Sequence, residues 1–502
     1  MSSTLIVTVI ILYFSLLVGI SFLTSRKATN DSFFLGERKS PWFLVSFGMI
    51  GASLSGVTFL SIPGWVGNVD NQFSYMQMAF GYFFGYLIVA YVLLPLYYRL
   101  NLTSIYEYLE QRFGFWSYKT GATFFLVSRL VGSSIRLLLV ADVLQAILFS
   151  SWGVPFEITV VISVVLIWVY TSRGGIKTIV WTDTLQTVFM LLSVFLTVYL
   201  ISHALDLPSN KGVIGAVVDS NYSRIFFFDD INSSNHFIKH FLGGVFITVG
   251  MTGLDQDMMQ KNLSCRNIGD AQKNMITMAS VLVVVNLVFL SLGALLYMYA
   301  AEHPEITFAK PDLLFSSIAM SEGMGPIVGI LFLLGLIAAA YSSADSALTA
   351  LTTSFSVDFL NIKKRPKERQ EGLRKMVHIG MSVVVILTII FLKKNTDSSA
   401  IDLLMKFAGF TYGPLIGLFF FGILTKRTIK DRIVPFISLF STLLTVLLWY
   451  YSCGSPGVEK GAPGIFGMYI FGFEIIILNA CIIFLCLLLF SKRSGDELIL
   501  AS

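Results

Sequence analysis

Three serines and a carboxylate interrupt a long apolar run at Ala338-Ala339-Ala340-Tyr341-Ser342-Ser343-Ala344-Asp345-Ser346. Read as a helix, this segment puts Ala339, Ser342, Ser343 and Ser346 on one side, with Asp345 on its flank. A carboxylate inside a membrane span is costly unless it faces a partner, an ion or water. Hydroxyl and carboxylate oxygens gathered this way point to a cation site. The alternative is close helix packing through small residues, with the serines bonded back to their own carbonyls; Asp345 weighs against it. Arg129 and Arg136 form a second constellation, two turns apart with Ser133 between them on the same face. A guanidinium at membrane depth must face a cavity or partners. As a receptor it would grip a carboxylate with two bonds. As a structural group it would pair with Asp142, Asp183 or Asp345, or snorkel from near a helix end. Lys406 is expected to snorkel. Asp255 and Gln256, after the glycines at 243, 244, 250 and 253, are candidates for lining a cavity, with loop solvation as the alternative.

The elements that would position these groups are membrane spans. The chain has 502 residues, 55% hydrophobic and 13% charged, with a mean hydropathy of +0.77. Soluble domains carry about 25% charged residues, so this is an all-α polytopic membrane protein without room for a large soluble domain. Hydropathy predicts about thirteen spans at ~20 residues each. They run over 4–24, 41–67, 72–98, 120–150, 156–171, 179–202, 236–255, 274–302, 323–355, 376–392, 400–424, 433–452 and 466–490. With the N-terminus outside and the C-terminus cytoplasmic, 25 of the 35 Lys and Arg fall on the cytoplasmic side. Lys239 is among the seven outside, and Arg129, Arg136 and Lys406 lie within spans. Cytoplasmic loops are expected to be the basic ones, so the orientation fits. The net charge of +5 therefore reports topology and not nucleic-acid binding. Metal-ligand spacing, a nucleotide-binding glycine loop and a nucleophile elbow are all missing from the sequence. It reads as no enzyme, with no organic cofactor and no obligatory protein partner.

Two spans look broken. Ser46 to Thr58 carries three glycines and three serines at membrane depth, and the second break runs through Gly243-Gly244, Gly250 and Gly253 into Asp255-Gln256-Asp257. Five spans separate their starts, so each could open a five-helix repeat, the second inverted relative to the first. Transporters use unwound helices of this kind to hold ions and solute at the midplane.

Several motifs then carry a family resemblance. They are Phe33-Phe34-Leu35-Gly36-Glu37-Arg38, Leu102-Thr103-Ser104-Ile105-Tyr106-Glu107-Tyr108-Leu109-Glu110 and Gly174-Gly175-Ile176-Lys177. Trp181-Thr182-Asp183-Thr184-Leu185-Gln186, Asp255-Gln256-Asp257-Met258-Met259-Gln260-Lys261 and the serine-rich segment complete the set. Over nearly its whole length the chain resembles the sodium:solute symporter family. The resemblance implies the leucine-transporter-like fold: inverted five-helix repeats with one leading and two trailing helices. The leading helix and its loop would occupy 1–40, the first repeat 41–202 and an external loop 203–235. The second repeat would occupy 236–424, and the trailing helices with a short tail 425–502. It also implies a primary sodium site at Gly51 and Leu54, through their carbonyls, with Ala339, Ser342 and Ser343 opposite. A second cation site, similar to that of sialic-acid transporters, would use Asp183, Ser342, Asp345 and Ser346. There Asp345 departs from the expected serine, so it either binds a cation or pairs with an arginine. The solute positions implied are Ser53, Ser55, Thr58, Phe73, Gln77 and Arg129, with Asp255 and Gln256 lining the cavity. Tyr412-Gly413-Pro414 looks like a helix deformation near an outer gate.

The function expected is sodium-coupled secondary active symport at the plasma membrane, importing a small polar, anionic organic solute by alternating access. Sodium is the coupling ion. A proton-coupled symporter using Asp183 and Asp345 is one alternative. Another is a membrane sensor without turnover, against which the short tail after Phe490 argues.

Overall fold

Backbone polar groups cannot stay unpaired in hydrocarbon, so apolar runs of this length must become helices. The computed structural model describes residues 3–25, 38–171, 176–205, 207, 212–395, 400–459 and 461–492. Residues 33–37 and 172–175, which include parts of two of the motifs, lie outside that set. Among the described residues nine helices are long and apolar enough to cross a bilayer, two more spans are bent helix pairs, and two shorter helices are apolar. These segments match the thirteen expected in number and order.

The chain begins with α1 (Ser3–Ser25), the bent pair α2 (Trp42–Ser53) and α3 (Gly56–Trp65), and then α4 (Tyr75–Arg99). A short α5 (Glu107–Arg112) leads into α6 (Phe115–Ile147), α7 (Phe156–Thr171) and α8 (Ile176–Ala204). After α9 (Gly212–Val218) comes the second bent pair, α10 (Phe237–Gly253) and α11 (Gln256–Leu263), followed by α12 (Ile268–Glu302). A short α13 (Leu314–Ala319) precedes α14 (Gly325–Ser354), α15 (Lys367–Asn395), α16 (Ala400–Leu424), α17 (Val434–Tyr450) and α18 (Ile475–Leu489). The bends are 54° between α2 and α3 and 64° between α10 and α11.

Small residues bring α4 against α10, the first arm of the second bent pair. A Cβ on Gly81 of α4 would lie 2.1 Å from the Phe241 carbonyl oxygen, and one on Gly244 of α10 would lie 2.5 Å from that of Met78. Only glycine permits backbones this close. Farther along the same two helices, π-helical turns at Val89–Leu93 and Val249–Gly253 face each other. Elsewhere α8 lies along α14, and α16 along α18.

Three expectations need correction. The final span is helical only from Ile475. Residues 466–474 fold back as an irregular cap in which the Ile470 N–H donates to Asn232 O at 2.9 Å. Lys239, placed outside by the charge count, is buried under that cap and donates to Asn232 O (3.1 Å) and Ile470 O (2.9 Å). Tyr412-Gly413-Pro414 does not break α16. Pro414 has no N–H for the carbonyl of Phe410, and Asn479 of α18 supplies the missing donor at 2.9 Å.

Candidate functional site

The break between α2 and α3 sits at Leu54 (φ −84°, ψ 77°) and Ser55 (φ −80°, ψ 178°), both outside helical geometry. The Leu54 N–H still donates to Ile50 O at 2.8 Å, but among the described residues no backbone hydrogen bond reaches the carbonyls of Gly51 or Leu54. Orphaned carbonyls in a buried place require another partner. The small-residue run of α14 lies opposite. Ser343 Oγ donates to Ala52 O at 3.3 Å, and a Cβ on Gly56 would lie 3.8 Å from Ala340 Cα. Ala339, Ser342 and Ser343 are all buried. Ser342 donates to Asp183 Oδ1 at 2.8 Å and keeps its lone pairs for a ligand. Two free carbonyls and two hydroxyls, without a fixed charge among them, suit a hard monovalent cation.

The second cluster joins α8, α11 and α14. Asp183, on α8, accepts from Ser342, from Ser346 (3.2 Å) and from the ammonium group of Lys261 (2.7 Å). Lys261 also donates to Ser346 Oγ at 2.7 Å. Asp345 accepts from Tyr170 (2.9 Å) and shares the single Ser346 hydroxyl proton with Asp183 (3.2 Å to each), and it pairs with no arginine among the described residues. Lys261 belongs to a stretch that hydropathy assigns to a cytoplasmic loop, yet its side chain is 1% exposed.

A cavity of about 100 Å³ opens beside the first break. Ser53, Ser55 and Thr58 line it, with Tyr75, Tyr82 and Tyr86 of α4, Asn286 of α12, and both Arg129 and Arg136. The two arginines differ. Arg129 is held in a buried ion pair with Asp257 of α11, with Asp255 3.8 Å away. Arg136 is buried, faces the cavity and makes neither an ion pair nor a hydrogen bond among the described residues. A smaller pocket shares Arg129, Arg136 and Leu404 with this cavity and Phe407 with a vestibule of about 740 Å³. Lys406 is exposed and lines the vestibule, with its ammonium 5.8 Å from the centre of the Trp449 ring.

A family model described as the sodium:solute symporter family matches residues 33–431. The chain belongs to the sodium:solute symporter family. It is a multi-pass membrane transporter and not an enzyme, and sodium-coupled solute symport is its activity class. The sodium/sialic acid symporter NanT of Aliivibrio fischeri is similar, at 27% identity over 86% of this chain and 84% of its own length. The human sodium-coupled monocarboxylate transporter 2 is 26% identical over 79% of this chain, which spans 64% of that protein. Among solved structures, a sodium-coupled sialic acid symporter in a substrate-bound outward-open state superposes with a TM-score of 0.78. That match has 21% identity and covers 97% of this chain and 99% of the other, so it shows the fold.

Not every implied solute position of this symporter reaches the cavity. Phe73 and Gln77 lie under the 203–235 loop instead: the Phe73 N–H donates to Arg224 O (3.0 Å), and Gln77 bonds Asn235 O (3.0 Å) and the Phe227 N–H (3.2 Å). Asp255 is no loop acid. It caps α11 by accepting from the Asp257 and Met258 amides, and takes a 2.5 Å bond from Tyr412. Gln256 is fully buried and braces the Leu102–Glu110 motif. It accepts from the Ile105 N–H (3.0 Å) and donates to Thr103 O (2.8 Å). Tyr97 and Tyr106 complete this seal by donating to Gly253 O (2.8 Å) and Leu254 O (2.9 Å). These bonds tie the second break to the Leu102–Glu110 segment. Sequence reasoning missed Lys261, Asp257 and the three tyrosines; only the strangeness of a charged run directly after a glycine-rich break could have flagged the first two.

Proposed function

We propose that this protein imports a small organic anion across the plasma membrane together with sodium, entering from the vestibule side. Sodium sits between the Gly51 and Leu54 carbonyls and the α14 positions Ala339, Ser342 and Ser343. The solute carboxylate docks on Arg136, with Ser53, Ser55 and Thr58 supplying hydroxyls and Arg129 flanking. The carrying observation is the unpartnered Arg136 guanidinium in the same cavity that adjoins the unwound segment. A buried cation of that kind needs a counter-anion, and a bound carboxylate supplies one. The N-terminus then lies outside and the Leu102–Glu110 segment faces the cytoplasm. Sodium binding stitches α2 to α14, and solute completes the cavity; each raises the affinity of the other, as linkage requires. Inward release needs the seal around Gln256, Tyr97 and Tyr106 to open.

Proton coupling through Asp183 is disfavoured because its carboxylate already holds Lys261. The deciding test is uptake of a panel of labelled carboxylates into proteoliposomes under an imposed sodium gradient, against a proton gradient of equal size. Sodium-driven accumulation supports the proposal. Accumulation driven by protons alone overturns the coupling ion, and no accumulation of any solute favours a sensor.

A further inference from the structure

The oxygens of the second cation position already face a positive charge. Lys261 enters from α11 and places Nζ 2.7 Å from Asp183 Oδ2 and 2.7 Å from Ser346 Oγ. Ser342 occupies the other Asp183 oxygen at 2.8 Å, and Ser346 links the group to Asp345 at 3.2 Å. Asp257, one turn back on α11, stands 3.9 Å from the ammonium. Asp183, Ser342, Asp345 and Ser346 are fully buried, so water does little to screen a charge placed among them. A sodium ion using these same atoms would sit against an ammonium group with nothing between. The residues present do not fit a second sodium while Lys261 is in place.

We propose that Lys261 is the resident cation of this site: its side chain stands in for a second sodium ion, and the transporter carries one sodium per cycle. An ammonium ion and a sodium ion carry the same charge and are satisfied by the same oxygen donors. The lysine differs in being tethered to one of the broken spans, so it arrives and leaves with α11 and is never transported. Movement of one sodium with one monoanion is then electroneutral. The inference rests on the sodium-coupled reading for the primary site only.

The test is the number of ²²Na⁺ ions bound per molecule of purified full-length protein, measured to saturation for wild type, Lys261→Met and Lys261→Arg. Wild type and Lys261→Arg are expected to bind one ion with a Hill coefficient near one. Lys261→Met is expected to bind two, with the Hill coefficient rising toward two. Adding Asp183→Asn to Lys261→Met should return the count to one. Two ions bound by wild type overturn the proposal, and so does a folded Lys261→Met that gains none. If Lys261→Met does not fold, the wild-type count decides alone: one supports and two overturns. Wild type binding no sodium would sink the symport reading, while a gain of one ion in Lys261→Met would still support this one.

Discussion

Arg129 and Arg136 lie on one face of α6, about 10 Å apart along its axis at 1.5 Å per residue. Their neutral variants should nevertheless fail in different ways. Arg136 lacks a carboxylate partner among the described residues, so Arg136→Gln removes a receptor and strands nothing. A hydrogen bond to a charged group is worth about 1.5–3 kcal/mol. Losing one such bond to a bound carboxylate should weaken affinity roughly 10- to 150-fold, at tenfold per 1.4 kcal/mol. A matched neutral solute, such as the amide or alcohol of the same skeleton, should lose far less. Arg129→Gln instead leaves Asp257, a fully buried carboxylate, without its closest counter-charge. Breaking a buried pair from one side costs about 3–5 kcal/mol. That variant should melt earlier than Arg136→Gln and show no special preference between charged and neutral solutes. The assay is solute-dependent thermal stabilisation in saturating sodium, run with acid and neutral analogue pairs. Equal losses for both members of a pair in Arg136→Gln would refute the reasoning. So would a larger acid-selective loss in Arg129→Gln.

Other consequences of the geometry are open to measurement. Ser343→Ala removes a hydroxyl facing the unwound segment at Ala52 and should shift the sodium concentration for half-maximal stabilisation upward by tenfold or more; an unchanged midpoint would remove Ser343 from the site. Gly51→Ala would put a methyl 2.1 Å from Thr187 Oγ1, a hydroxyl pinned to Phe47 O and Asp183 O. Overpacking of that kind costs about 1–3 kcal/mol, and Thr187→Ala should restore part of the lost melting temperature. Gln256→Leu deletes two hydrogen bonds to the 103–105 loop, each worth about 1 kcal/mol. Alkylation of buried Cys265, whose carbonyl accepts from Tyr98 at 3.3 Å just before that loop, should then speed up several-fold in a background lacking the other cysteines; an unaltered rate would show that Gln256 does not restrict access there.

The two unwound spans were legible because glycine and serine at membrane depth have few other uses. Their register could be read from the matched spacing. The serine face of α14 was legible from helical periodicity alone. Lys261 was not: hydropathy falls at Asp255, and a polar stretch after a span looks like a loop. The chain instead turns by 64° and dives back as α11, with Asp183 and Ser346 waiting for the lysine from helices far away in sequence. The same folding decides which arginine is neutralised. From sequence, Asp142, Asp183 and Asp345 were the natural partners, but Asp142 bonds Lys393 at 2.8 Å, Asp183 holds Lys261, and Asp257 takes Arg129. Phe73 and Gln77 fell short of the cavity because the 203–235 loop claims their hydrogen bonds.

α11 is only eight residues long, yet it is moored to two neighbours by opposite charges one turn apart: Asp257 to Arg129 on α6, and Lys261 to Asp183 on α8. Tilting so short a rod away from one anchor drags on the other. A half-opened door would leave charges stranded in a dry interior, so intermediate positions are penalised more than either end of the swing.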